Sequence, residues 1–329
     1  MITLLQGRWP YWLPRLHFAW LLLVFGELVA WQNASNHSVL DWLAVALIYV
    51  ALAAALLDGI VRLQVGDWRR LLLVAGVFGL GHGTLISLAA VDTQDLSLEL
   101  IFRPLGVQVL MFLLAFGSFR LLSRGDSTGP RELALAALTG LGWGIWVRWF
   151  PALEGVNISS PGFGSSVASL TIMLVIGAVL PHFWRFSIEK MESDDWLLSP
   201  LEWGAVGGVL GVTLLLRTGY VDALGLTVSI SILLIIGVMV VFTRGAQRRH
   251  LLASFTPPNL PRVLGWVLLL VPFIALGGLG YNLPDSNQGT PWHANLLFGM
   301  IAVFGVAWVP LISLLQGFSA LVQLSREGY

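Results

Sequence analysis

Residues 222–243 read DALGLTVSISILLIIGVMVVFT, one acid followed by 21 uncharged and mostly aliphatic positions, and Arg244 comes directly after them. A helix needs roughly 20 such residues to cross about 30 Å of hydrocarbon, where no water is present to bond the backbone N–H and C=O groups. The stretch meets that requirement. It also carries a direction, because Arg and Lys are retained on the cytoplasmic side of a membrane. Arg244 therefore marks an inner end and Asp222 an outer one.

Nine more stretches have the same character: 11–31, 41–62, 71–91, 100–122, 132–150, 164–186, 201–217, 262–281 and 294–323. Composition agrees with them. Of the 329 residues, 57% are apolar and 11% charged, whereas a soluble domain carries about 25% charged residues. The predicted fold class is all-α: a polytopic integral membrane protein of about ten transmembrane helices, forming a single transmembrane domain over 1–329. Bases gather before the first span (Arg8, Arg15) and after the second (Arg62, Arg69, Arg70), fourth (Arg120, Arg124, Arg131), sixth (Arg185, Lys190), eighth (Arg244, Arg248, Arg249, Arg262) and tenth (Arg326). The alternate junctions hold Asp41, Asp92, Asp95, Glu99, Glu154, Asp222 and Asp285. Five outward-opening hairpins with both termini cytoplasmic (N-in/C-in) follow from that pattern.

Tryptophans give a second signal, since indole rings settle at the headgroup level. Trp9, Trp12, Trp68, Trp184, Trp196 and Trp203 fall at the expected inner boundary, and Trp31, Trp42, Trp146, Trp149 and Trp292 at the outer one. The usage of Arg and the lack of Cys suggest a bacterial chain, so the expected location is the plasma (inner) membrane, with the lipid bilayer as the first partner.

Several functions fail for want of residues. Eighteen acids balance 18 bases, which gives no basic face for nucleic acid. Without Cys there are no thiolate metal sites, iron–sulfur clusters or Cys nucleophiles. Lys190, the single lysine, lies outside the spans, so a membrane retinal Schiff base is excluded. Neither HExxH nor a Walker A sequence occurs. His17 and His182 match in depth as a bis-His haem requires, but His82 is offset by about 10 Å at about 1.5 Å per residue, and no cofactor or metal is expected. Catalytic residues stay unassigned. The loops are too short to house a domain, which places any site inside the helical bundle.

Ionisable groups within hydrocarbon are costly and point to function. Arg103, Arg148 and Arg217 break the orientation rule by lying at outer ends of spans, where guanidinium forks suit an anion. Each also has a neighbouring acid as an alternative partner: Glu99, Glu154 and Asp222. Glu27 lies in the outer half of the first span, either as a partner for one of those Arg or as a proton-coupled carboxyl. His82, within FGLGHGTL, falls near mid-membrane. Arg148, Arg217, Arg103, Glu27 and His82 are the candidate substrate-binding residues.

Small residues about a helical turn apart allow helices to approach closely, and glycines mark the third (Gly79, Gly83), fifth (Gly140, Gly144), seventh (Gly204, Gly208 with Gly207, Gly211) and ninth (Gly277, Gly278, Gly280) spans. Odd helices are thus expected in the middle and even ones against lipid. The expected function is a transporter or channel passing a small polar or anionic solute. An integral membrane enzyme acting on a lipid-linked phosphate at the outer leaflet is the first alternative; a membrane-embedded subunit of a larger complex is the second, with partner subunits or a homo-oligomer. An inner ring of odd helices made from five hairpins resembles the layout of the tellurite-resistance/dicarboxylate and slow-anion-channel superfamily, although none of its sequence motifs occurs here. Ten-span membrane acyltransferases are similar in length and orientation, but where they place a catalytic His this chain has Gly26 and Glu27.

Overall fold

Each aliphatic run is helical in the computed structural model, which describes residues 9–30, 38–87, 99–124, 128–153, 162–184, 191–217, 222–242, 250–253, 255–256, 258–284 and 290–327. In chain order the helices are α1 (Trp9–Leu23), α2 (Val39–Arg62), α3 (Trp68–Leu85), α4 (Val109–Arg124), α5 (Pro130–Leu153), α6 (Phe163–Trp184), α7 (Pro200–Arg217), α8 (Ala223–Phe242), α9 (Leu260–Leu268), α10 (Leu270–Tyr281) and α11 (Trp292–Glu327). No strand occurs among the described residues, and nine helical segments among them are long and apolar enough to cross a membrane. The chain is a multi-pass, all-helical membrane protein. The expected third span is present as α3, yet Arg69, Arg70, His82 and its glycines leave it less apolar than those nine.

Two segments widen into π-helix: Val24–Val29, which extends α1, and Ile101–Gln108, which leads into α4. The second has a covalent cause, since Pro104 has no N–H for the ladder and its ring crowds the preceding turn. In the first, the Ala30 N–H reaches back five residues to the Phe25 carbonyl at 3.1 Å. A tryptophan braces each. The Trp146 indole donates to the Ala30 carbonyl at 2.7 Å, and the Trp308 indole to the Leu105 carbonyl at 3.0 Å. Proline also explains the break between α9 and α10. Pro272 cannot bond the Leu268 carbonyl, and at that point the Leu269 N–H bonds the Trp266 carbonyl three residues back at 3.0 Å.

The described chain divides into two compact units. One comprises Met1–Ala54, Leu114–Trp196 and Leu252–Met300; the other comprises Ala55–Leu113, Leu197–Leu251 and Ile301–Tyr329. In the first unit α5 crosses α10 backbone to backbone: a Cβ on Gly140 would overlap the Phe273 carbonyl, one on Gly144 the Gly277 carbonyl, and one on Gly280 the Leu141 carbonyl. In α6, Pro181 strips the Gly177 carbonyl of its ladder donor, and the His17 ring hydrogen-bonds that backbone group instead. The adjacent Trp20 indole donates to the Met173 carbonyl at 3.0 Å. Phe18, Phe116, Phe119, Trp196 and Phe255 form an aromatic cluster in the same unit.

In the second unit a Cβ on Gly79 would overlap the Pro104 carbonyl, and one on Gly305 the Ile101 carbonyl, so small residues seat α3 and α11 on the π-helical segment. Asp58 is buried there, accepting from Arg62 Nε at 2.8 Å, Arg62 Nη2 at 2.9 Å and the Leu198 N–H at 2.7 Å.

The alternation of odd helices inside and even helices outside does not hold. Even-numbered α2 buries Tyr49, Ala53, Ala54, Leu57 and Ile60 completely, while α7 exposes Gly204, Gly207, Gly208 and Gly211, with nothing within 4 Å of a Cβ on any of them. A small-residue stripe shows that a helix can be approached closely; it does not supply the helix that approaches. Two tryptophans assigned to the headgroup belts are core residues instead: Trp196 is fully buried and Trp146 nearly so.

Candidate functional site

Glu27 is the one candidate carboxyl placed within a membrane-crossing segment, and it is 2% exposed. It sits in the π-helical turn Val24–Val29, immediately after Gly26. Tyr49 of α2, fully buried, donates its hydroxyl hydrogen to Glu27 Oε1 at 2.8 Å. π-Helical turns are uncommon and are frequently found at functional sites, and a carboxyl in an apolar interior is costly unless it is hydrogen-bonded. The wide turn and the tyrosine occur together at the same carboxyl. α6 also packs against this turn, and α5 reaches its end through the Trp146 bond to Ala30.

Arg148 lies in α5, two residues past Trp146. Its Nη1 donates to the Tyr281 carbonyl and, at 3.3 Å, to the Leu283 carbonyl, with the guanidinium 5.0 Å from the Trp149 ring centroid and 5.6 Å from that of Tyr281. A cation at the carboxyl end of α10 meets the partial negative charge of unbonded helix carbonyls. His293 stands edge-on to Trp149, with ring centroids 6.2 Å apart.

The other three candidates belong to the second unit. Arg103 lies within the π-helical segment Ile101–Gln108 and pairs with Glu99 four residues earlier, Nε to Oε2 2.9 Å. His82 of α3 is fully buried beside Phe78, with centroids 6.0 Å apart. It lies three residues beyond Gly79, which rests on the Pro104 carbonyl next to Arg103. Arg217 closes α7 half-exposed. Asp222, the acid expected beside it, caps α8 by accepting from the Leu224 N–H at 2.7 Å and the Gly225 N–H at 3.1 Å. Glu154, the expected partner of Arg148, lies outside the described residues.

Two groups were missed in the sequence reading. Tyr49 is separated from Glu27 by 22 positions, and its only signal is that it is a lone phenol in an otherwise aliphatic span. Arg15, read as a boundary cation, is fully buried and donates to the Asp195 and Trp196 carbonyls at 3.1 and 3.0 Å. The first unit also contains a half-open apolar cleft of about 300 Å³ between α1, α2 and α6, lined by Leu13, Leu16, His17, Trp20, Ala46 and Val50 among others. Among the described residues, no three His, Asp or Glu side chains gather to hold a metal.

No protein family model, curated protein or solved structure matches this chain.

Proposed function

We propose that this protein passes a small polar or anionic solute across the membrane it spans, and that Glu27 is the ionisable group at the heart of that passage. The supporting observation is the buried Glu27 carboxyl, hydrogen-bonded to Tyr49 on a π-helical turn inside a membrane-crossing helix. Ionisable side chains at such depth mark solute and ion pathways. In this reading Arg148, in the same unit as Glu27, favours an anionic solute near an outer helix end, and Arg103, Arg217 and His82 are proposed as solute contacts of the second unit taken by itself. The host is the bacterial inner membrane, with both termini cytoplasmic, as the distribution of bases indicates.

The test is uptake into proteoliposomes of a panel of labelled small solutes: chloride, nitrate, phosphate, acetate, succinate and glycerol. At least one should enter faster than into protein-free vesicles, and Glu27→Gln should slow that entry by about tenfold or more, roughly 1.4 kcal/mol on the rate-limiting step. Arg148→Lys retains the charge without the planar fork and should weaken entry of an anionic solute more than of a neutral one. Equal rates in wild type and Glu27→Gln for every solute that enters would remove the proposal.

The cleft between α1, α2 and α6 favours a second reading, an enzyme that takes a lipid-linked phosphate, because apolar walls around about 300 Å³ suit an acyl or prenyl chain. Release of phosphate from a prenyl diphosphate by the purified protein, with no solute uptake, would select it.

A further inference from the structure

We infer that the junction of α5, α6 and α10 holds a subsite for a small anion, with the Trp143 indole N–H and the Ser166 hydroxyl as its hydrogen-bond donors. This rests on the reading of the protein as a path for a solute and names two residues that hold it. Trp143 is 4% exposed and Ser166 7%, and neither side chain has a hydrogen-bond partner among the described residues. An indole N–H is a donor in every rotamer, so what it lacks is an acceptor. The chain shows how such groups are ordinarily satisfied. Trp20, Trp146 and Trp308 each donate to a backbone carbonyl far away in sequence. Thr84, Ser123, Thr213 and Ser231 return their hydroxyls to the carbonyl four residues back. At Ser166 that carbonyl, Gly162, already accepts from Ser165 Oγ at 2.8 Å and from the Ser166 N–H at 3.2 Å. A buried donor without an acceptor is costly. Trp149 and Trp196 also have indole nitrogens without a partner, but at Trp143 the neighbouring helix brings a second such group, and the pair marks a place for an acceptor from outside the chain.

Ring contacts bring the two residues to one place. The Phe163 ring of α6 has its centroid 6.1 Å from that of Trp143 and 5.2 Å from that of Tyr281 in α10. Ser166 follows Phe163 by one helical turn on the buried face of α6. The Arg148 guanidinium lies 5.6 Å from the Tyr281 ring centroid, so a cation belongs to the same chain of contacts. Acids are scarce around it. α6 and α10 contain none. α5 has Glu132, about three helical turns before Trp143 and accepting from the Gly129 N–H at 2.9 Å. α1 and its π-helical extension contribute Glu27, which is hydrogen-bonded with Tyr49. A metal cation requires a shell of oxygen lone pairs, and an indole N–H offers none. Water can satisfy either donor by itself; the guanidinium adds the preference for an acceptor that carries negative charge.

NMR of the full chain in nanodiscs, labelled with nitrogen-15 at tryptophan, tests this by binding alone. The 15 tryptophans each give an indole N–H resonance, and Trp143→Phe identifies one of them by its loss. Chloride, nitrate, acetate and phosphate are titrated in turn against gluconate at constant ionic strength. At least one of the four should move the Trp143 resonance saturably, and exchanging sodium for potassium should leave it in place. Ser166→Ala should weaken that anion by about tenfold, the worth of one hydrogen bond to a charged group. A Trp143 resonance that no anion moves would overturn the inference, including one that exchanges with water alone, since the donors then hold only water. So would an unchanged affinity in Ser166→Ala. If Trp143→Phe does not yield monodisperse protein, Ser166→Ala decides: a tenfold loss at whichever indole resonance saturates supports the subsite, while an unchanged affinity, or no saturating resonance, defeats it. Anion uptake with an unmoved Trp143 resonance defeats the subsite alone, whereas saturable binding at Trp143 with no uptake of any solute defeats the passage reading and leaves the anion site standing.

Discussion

The same substitution should have opposite signs at two glycines of this chain. A Cβ at Gly144 in α5 meets the Gly277 carbonyl and the Tyr281 nitrogen, all backbone, so no side chain can rotate away and the helices must separate. Overpacking of this kind costs about 1–3 kcal/mol, and the upper end applies where the obstacle is main chain. Alanine returns up to about 1 kcal/mol of helix propensity relative to glycine. Gly144→Ala should therefore lose roughly 2 kcal/mol, the balance of those two terms. At Gly208 in α7 nothing lies within 4 Å of the added methyl, which leaves only the propensity gain of up to about 1 kcal/mol. The expected separation between the two variants is about 3 kcal/mol. Reversible unfolding in mixed micelles, followed by tryptophan fluorescence, measures it. The packing argument fails if Gly144→Ala is neutral. It also fails if Gly208→Ala destabilises to the same degree, since α7 would then be covered by something in the bilayer.

Three further outcomes follow from buried polar groups. Trp308→Phe deletes the donor to the Leu105 carbonyl inside the π-helical segment and should cost about 1–3 kcal/mol for a buried acceptor left unpaired; an unchanged unfolding midpoint would show that the indole does not brace the segment. Asp58→Ala orphans the buried Leu198 N–H and should cost about 1–3 kcal/mol; an unchanged unfolding midpoint in the same assay refutes this. Burial holds the His250 imidazole below its ordinary pKa, close to 6.5 in model peptides. The unfolded chain then binds the proton more readily than the folded one, so this contribution to stability is complete above about pH 6.5 and declines as pH falls towards the lower folded value. His250→Gln should flatten the decline in melting temperature over that interval, and an identical pH profile in the variant would rule out the linkage.

Much of the architecture was legible because hydrocarbon imposes a one-dimensional rule. The runs predicted at 222–243 and 41–62 appear as Ala223–Phe242 and Val39–Arg62. The short-range pairs were equally readable: Asp58 with Arg62 and Glu99 with Arg103 are four apart on a helix, which fixes them as neighbours. The pairing of Glu27 with Tyr49 was not readable, because it depends on how two spans rotate about their own axes. Nor did glycine spacing distinguish α5, where Gly140 and Gly144 meet the α10 backbone, from α7, where a Cβ on any of the four glycines meets nothing within 4 Å among the described residues.

The sequence alone determined that the chain is helical, where its membrane-crossing segments run and how the bases alternate between them, since desolvation of the backbone and retention of positive charge act on each segment separately. Only the tertiary structure decided which helices are buried, which carbonyls freed by proline are taken up by His17 or bypassed at Leu269, and that a tyrosine hydroxyl meets the carboxyl of Glu27. Those outcomes depend on contacts between segments distant in the chain, and in a bilayer, where all apolar faces are equally well solvated, hydropathy does not choose among them.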